Sequence, residues 1–327
     1  MAGVVPETDD VNKFFFGKWA IPVPQLFYES ATCKGIVNVR PQLKGHVLCV
    51  SARREPKFAN LDAGEVCDLF LSVQRIARAV SHSQPGTTAL SFALQDGPAA
   101  GQTVPHIHVH VLPRKPLAGT PASTAASSPS TSSASERHFE ASLANPAAFI
   151  HETAHTAAFP LVTPALPGHA VVVTKRCVSR FMDLTVDEVA DLWLAAQEVG
   201  TKVLAATPGA TACNYAIQDG PDAGQVCEHV HLHVIPRRDG DLLLDEIYEK
   251  LEIAEFLLGP TGAGEGAGEA GHVSKAVDPA ALAAAAEKAK DGFAFKTLVP
   301  EVSTRYVPST EEMYAEATKL RELLMQL

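Results

Sequence analysis

The chain has 327 residues, 46% of them apolar and 20% charged, with a formal net charge of −10. That length suits two domains or three, and that composition excludes a wholly disordered or fibrous chain. The acidic balance disfavours non-specific nucleic-acid binding, and no apolar run reaches the ~18 residues of a membrane-spanning helix.

Residues 1–10 are acidic and carry no basic-then-apolar leader pattern. Two β-rich runs follow, at 35–39 and 45–50. Residues 62–80 then place Val66, Leu69, Phe70, Val73, Ala77 and Val80 at helical spacing. Asp62 and Glu65 stand where a capping box would open that helix, and Pro85-Gly86 ends it. A strand is predicted at 88–94, a polar turn at 95–102, and a second strand carrying His106, His108 and His110. From Pro116 to Ser135 every residue except Leu117 is Pro, Gly, Ala, Ser or Thr. Such a stretch buries too little apolar surface to offset its ordering entropy, so it reads as a flexible linker.

After the linker the pattern returns. A shift of 123 residues superposes 46–114 on 169–237 without a gap, with 30 identities in 69 positions. Thr185 and Glu188 form the second capping box, and Pro208-Gly209 ends the second helix. His229, His231 and His233 repeat the histidine row. Copies of about 100 residues are duplicated domains rather than solenoid units. The expected division is a first domain at 13–115, a linker at 116–136, a second domain at 137–253, and a Gly-rich insert with a helical tail at 254–327. Few strands alternate with helices here, so the order predicts α+β with mainly antiparallel pairing rather than a doubly wound sheet. Six cysteines form no C-x-x-C pair and read as reduced thiols of an intracellular protein, cytoplasmic, with the nucleus also open.

His106, His108 and His110 alternate with Ile107, Val109 and Val111. On a strand this puts three imidazoles on one face, ~7 Å apart, and three aliphatic groups on the other. The aliphatic face is expected on the core and the histidine face in a cleft. Such a row could hold a metal ion, supply a nucleophile flanked by positioning groups, or be a polar face of satisfied histidines. Strict alternation, occurring twice, weighs against the last. The turn 95–102 favours the nucleophile over the metal. Its small residues let a ligand approach, and its amide N–H groups suit phosphate oxygens. Gln95 and Gln102 add neutral donors, Arg114 closes the far end, and no acidic residue sits where it would complete a metal site.

The pattern Gln-Asp-Gly-x-x-x-Gly-Gln, three residues, then His-x-His-x-His-Val-Leu-Pro-Arg resembles the histidine-triad (HIT) superfamily, and within it the Fhit branch of diadenosine polyphosphate hydrolases. Asn38, Pro41 and Gly45-His46 resemble the same branch, as do Ile247-Tyr248-Glu249 and the Glu311-Glu312-Met313 helix of its C-terminal tail. The resemblance implies a five-stranded antiparallel sheet with two helices per domain, normally paired in a dimer. The two copies are therefore expected to pack as an intramolecular pseudo-dimer, their sheets continuous or side by side. The resemblance also implies that His108 and His231 attack the α-phosphorus of a dinucleoside polyphosphate, forming a nucleotidyl-histidine that water hydrolyses. His106, His110, His229 and His233 would support them. Asn38, His46, Gln95, Gln102, His169, Gln218 and Gln225 would bind substrate. No protein-bound cofactor or metal is implied, although Mg²⁺ or Mn²⁺ can travel with the polyphosphate. Neither nucleic acid nor membrane is an expected partner. A nucleoside phosphoramidase would use the same nucleophile, but the Gln-Asp-Gly loop and Pro-Arg ending argue against it. A dinucleotide sensor would bind tightly with low turnover.

The copies differ. Asn38, a sugar-contacting position in the branch, is matched by Leu161. Residues 13–115 hold 12 Lys and Arg against 6 Asp and Glu, whereas 136–238 hold 7 against 11. A polyanionic substrate is expected to favour the first copy.

Overall fold

The computed structural model describes residues 13–116, 139, 142–161, 164–225, 227–242, 247, 251 and 307–327. The linker beyond its first residue, the 254–306 stretch, Tyr248 and Glu249 lie outside the described residues.

A hairpin of β1 (Lys13–Phe16) and β2 (Trp19–Pro22) precedes the first repeat. That repeat contains β3 (Leu26–Glu29), β4 (Cys33–Val37), β5 (Val47–Ser51), helix α1 (Ala63–Ser83), β6 (Ala89–Asp96) and β7 (His108–Arg114). The second contains β8 (His151–Glu152), β9 (Thr156–Pro160), β10 (Ala170–Thr174), helix α2 (Val186–Ala206), β11 (Ala212–Asp219) and β12 (His231–Arg237). Helix α3 (Thr310–Gln326) follows. Among the described residues each repeat thus supplies five strands and one long helix, where two helices were expected.

Local chemistry sets the helix starts. The Asp62 carboxylate accepts the Glu65 N–H while the Glu65 side chain accepts the Asp62 N–H. Thr185 with Glu188, and Ser309 with Glu312, close the same reciprocal pair at α2 and α3. Each cap satisfies N–H groups that a helix start leaves without partners and contributes ~1 kcal/mol. The predicted apolar stripe of α1 is buried as read, against strand residues that include Val47, Leu90, Phe92, Val109 and Val111.

The ten strands form one sheet in the order β3-β4-β5-β7-β6-β11-β12-β10-β9-β8, antiparallel throughout. At its centre β6 pairs with β11, and Ala93 faces Ala216, its own counterpart in the other repeat. Contacts across this seam come in matched pairs. Gln74 Nε2 donates to the Phe181 and Leu184 carbonyls at 3.0 Å each, and Gln197 Nε2 donates to Phe58 and Leu61 at 2.7 and 2.9 Å. Phe70 and its counterpart Trp193 stack on each other, 3.5 Å between centroids and 6° between planes. The Phe58–Tyr215 and Phe92–Phe181 ring pairs flank that stack at 5.1 and 4.9 Å. This is the geometry of a two-fold interface, in which residue i meets j and j meets i, built within one chain.

Helix α3 packs on the first repeat, against α1, β3 and β4, although the second repeat precedes it in the chain. Met313, Ala317 and Leu320 are its buried stripe. Arg321 donates to the carbonyls of Leu26 and Pro24 at 2.9 and 2.8 Å, Gln84 donates to Glu316 at 2.9 Å, and Lys319 bonds the Ser83 carbonyl.

Candidate active site

In the first repeat β7 begins at His108, so His106 stands just before the strand. Ile107 bonds through its backbone to Glu55 and Ser51 at 2.6 and 3.1 Å, which keeps the alternation in phase. Val109 and Val111 enter the core beneath α1, while His108 and His110 face the other side. The expected open cleft is narrower than the sequence suggested. Phe14 and Phe16 of the hairpin lie over the row, and Phe16 meets the His108 ring edge-on at 4.9 Å. His106 and His108 are buried, and His110 is partly exposed.

Hydrogen bonds assign a proton to each imidazole, because a neutral ring has one donor and one acceptor nitrogen. The Gly17 N–H donates to His106 Nδ1 at 3.1 Å, so His106 Nε2–H donates to the Ser51 carbonyl at 2.7 Å. His108 Nδ1 lies 2.8 Å from the His106 carbonyl and must donate to it, leaving the lone pair on Nε2. The Gln42 N–H donates to His46 Nδ1 at 3.1 Å, and His46 Nε2–H donates to His110 Nδ1 at 2.9 Å. His110 Nε2 therefore carries a proton, and it is buried with no acceptor among the described residues. Burial drives His108 down to about 4 and pushes His106 and His110 below the ordinary histidine value, which keeps all three neutral near pH 7.

The 95–102 turn differs from its reading. The N–H groups of Ala100 and Gln102 donate to the Gly97 carbonyl, and that of Gly101 to Pro98. Gly97 N–H donates to Gln102 Oε1 at 3.2 Å, while Gln102 Nε2 donates to the Pro56 carbonyl at 3.1 Å. Gln225 repeats this, accepting from Gly220 at 2.6 Å and donating to Ser179 at 3.0 Å. These amides and both glutamines brace the loop rather than present donors to phosphate. The small residues serve another close approach. A Cβ on Gly101 would lie 2.7 Å from Gln95 Nε2, so the glycine makes room for that amide. Continuing the β6–β7 register, in which Leu94 faces Val109, places Gln95 opposite His108. At Gly97 φ is +102°, and a Cβ would meet Ala212 of the other repeat at 2.9 Å. Arg114 donates to Ser91 instead of closing the pocket.

The second row follows the same plan. His231 Nδ1 donates to the His229 carbonyl at 2.7 Å, His229 Nε2 to Thr174 at 2.7 Å, and His169 Nε2 to His233 Nδ1 at 2.9 Å, with the Ala165 N–H on His169 Nδ1. Its surroundings differ. Phe139, 123 positions after Phe16, lies 5.1 Å from His231. Phe159 replaces Ile36 and Leu161 replaces Asn38, and both join an apolar cluster with Phe139, Val171 and Val173. His231 and His233 are 2% and 0% exposed. Gln218 is buried, its Oε1 without a partner among the described residues. His229 Nδ1 likewise has no hydrogen-bond partner among the described residues, whereas Gly17 donates to His106.

Asn38 lies 3.3–3.4 Å from the nitrogens of His46 and accepts the Arg40 N–H at 2.9 Å. Beside it a cavity of about 240 Å³ is walled by Asn38, Lys44 and His46 from the first repeat and by Met313, Glu316 and Lys319 from α3. The sequence reading missed this wall, along with Phe16, Gly17 and Gln42. The 123-residue offset pairing Phe16 with Phe139 was the available signal for the first; backbone donors leave none. Among the described residues no group of three or more His, Cys, Asp or Glu converges as metal ligands do, and no helix is long and apolar enough to cross a membrane.

Comparison with known proteins agrees with the geometry. A 93-residue segment is 52% identical to the Arabidopsis thaliana protein named bifunctional bis(5'-adenosyl)-triphosphatase/adenylylsulfatase FHIT, over 28% of this chain and 51% of that one. A Dictyostelium discoideum bis(5'-adenosyl)-triphosphatase is 42% identical over 31% of this chain and 67% of its own. A solved Plasmodium falciparum diadenosine triphosphate hydrolase, in complex with cyclomarin A, is similar at 32% identity and a TM-score of 0.31, covering 34% of this chain and 75% of that chain. The match spans about half to two thirds of these curated relatives' length. The HIT domain family itself matches residues 23–117 and 142–240, more than half of the chain, so this protein belongs to that family and carries its domain twice.

Proposed function

We propose that the chain hydrolyses dinucleoside polyphosphates such as diadenosine triphosphate, and that the first repeat does most of the work. One observation carries this reading: the hydrogen-bond chain that leaves His108 Nε2 with a lone pair and His110 Nε2–H as a buried donor with no acceptor among the described residues. A nucleophile beside an unsatisfied donor suits attack at a phosphorus whose oxygens accept that hydrogen bond. In the proposed sequence His108 Nε2 attacks the α-phosphorus. The phosphoanhydride P–O bond breaks, and its electron pair leaves with the departing nucleotide. Water then attacks the nucleotidyl-histidine, the P–N bond breaks, and a nucleoside monophosphate departs. His110 holds the phosphate, Gln95 lies beside the leaving oxygen, and Asn38 meets the sugar. The apolar group formed by Phe16, Ile21, Ile36 and Leu48 suits the base. Mg²⁺ or Mn²⁺ enters with the substrate.

The names of the relatives support this substrate class. The second repeat then serves chiefly as the other half of a pseudo-dimer, for which the continuous sheet and the matched seam contacts speak. In that repeat Leu161 stands where the first has Asn38, and with Phe159 it belongs to an apolar cluster. Product analysis on the purified chain with a panel of dinucleoside polyphosphates tests the reading: a nucleoside monophosphate from every hydrolysed substrate is expected. Tight binding with negligible release would instead favour a sensor, and release only from phosphoramidate substrates a phosphoramidase.

A further inference from the structure

The two repeats do not buttress each other equally. On β12 the Arg237 guanidinium is 1% exposed and donates to Asp241 from Nε and Nη2, at 3.0 and 2.7 Å. Its Nη1 donates to Asn214 Oδ1 at 2.7 Å. Arginine has no acceptor, so this contact fixes which way the Asn214 amide points. Asn214 Nδ2 must then face away, and it donates across the seam to the carbonyl of Ala100 at 3.0 Å. Ala100 adjoins Gly101, against which the Gln95 amide lies. Asn214, held by the buried Arg237 and the half-buried Asp241, thus reaches the turn that seats Gln95 in the first repeat. The reciprocal path is missing: the matching residues are Arg114 and Ser91, which bond each other at 2.9 Å, and no bond from Ser91 to Ala223 exists among the described residues. Serine, one carbonyl group shorter, stops short of the seam.

We propose that Asn214, held by Arg237 and Asp241, is a positioning residue of the second repeat that acts on the first active site through Gln95. This rests on the reading of the first repeat as the hydrolytic site. It assigns the second repeat a part in catalysis that does not depend on its own histidines. The geometry is one-way, so the benefit runs from the second repeat to the first.

The test uses the full chain carrying His231→Ala, so that turnover reports the first site. Asn214→Asp keeps the side-chain shape and the pairing with Arg237 but replaces the donor facing the Ala100 carbonyl with an acceptor. Asn214→Ser shortens the reach. Each is expected to lower kcat/KM on diadenosine triphosphate about five- to tenfold, the scale of one lost polar contact. The decisive measurement repeats both substitutions with Gln95→Ala also present. A residue acting through Gln95 then loses its effect, whereas a general weakening of the fold persists. An undiminished loss in that background, or no loss with Gln95 intact, overturns the proposal. Calorimetric binding of a methylene-bridged diadenosine triphosphate is read on the same variants. A His231→Ala chain without turnover would count against the first repeat as the hydrolytic site. The binding cycle between positions 214 and 95 would still decide the positioning role.

Discussion

At His108 the deciding property is a tautomer. The backbone carbonyl two residues earlier takes the Nδ1 proton, and the lone pair is left on Nε2. Under the proposed mechanism, truncation at this position removes the attacking atom and little else. His108→Ala is therefore expected to cut turnover by several powers of ten while nucleotide binding persists. His231→Ala should cost far less, because Leu161 replaces Asn38 and the second repeat carries the more acidic sequence. Rates of the two single variants, measured side by side, check this; the reverse ranking would move the activity to the second repeat. Burial also sets the pH response. The His108 value falls from 6.5 to about 4 on folding, so between those limits the unfolded chain binds more protons than the folded one. Stability is accordingly expected to fall as pH drops from 6.5 toward 4, whereas His108 stays mostly neutral until the pH nears 4. Urea midpoints and kcat/KM profiles between pH 4 and 8 would show it: an acid limb near 6.5 due to His108 is the contrary result. The sequence made the histidines' shared face legible, since alternation alone dictates it. It did not make their protons legible, because the partners are backbone groups of Gly17, Gln42 and Ser51, which any residue could supply.

Among the elements, the capped helices and the strands on either side of the Gln-Asp-Gly turn were readable, because their signals are local: an acid three residues after the cap, a period of two, a Pro-Gly stop. The turn itself was misjudged. Its amide N–H groups looked available for phosphate in the sequence, yet a tight turn consumes them internally. The docking of α3 on the first repeat was not readable either, since nothing in an amphipathic stripe names the surface it will cover. That docking has a measurable weight. Leu320 is fully buried against the first repeat's core, and Leu320→Ala is expected to destabilise the fold by ~2–5 kcal/mol. Because α3 walls the cavity beside Asn38 and His46, substitutions that loosen it should raise KM before they affect the chemical step. Arg321→Ala, which frees the carbonyls of Leu26 and Pro24, is a milder probe of the same contact. A rise in KM of a few-fold with kcat nearly unchanged is the expected reading.

For the whole molecule, the central pairing of β6 with β11 makes the seam part of the fold rather than an optional contact. Cleavage engineered within 117–135 should leave the two repeats together, co-eluting on a sizing column at the intact mass. Separation into halves is the outcome that would contradict a shared core. Trp193 sits at the middle of that core, stacked on Phe70, and Trp193→Ala is expected to cost ~3–5 kcal/mol. The duplication was legible from the 123-residue offset. The continuity of the sheet was only half legible, as one of two packings. What decides it is the pairing of two edges, β6 and β11, that the offset alone cannot orient.

The position of α3 has a consequence in time. The strands of the first repeat end at Arg114 and α3 begins at Thr310, about 200 residues downstream. At ~5–20 residues per second on a ribosome, roughly 10–40 s separate their synthesis. Through that interval Leu26, Ser83 and Gln84 wait without the partners that α3 brings, and the wall beside Asn38 stays open. A nascent chain can therefore assemble the sheet first and complete the cavity beside Asn38 and His46 only after the second repeat has been made. Any product of premature termination past the second repeat would keep both histidine rows and lack that wall.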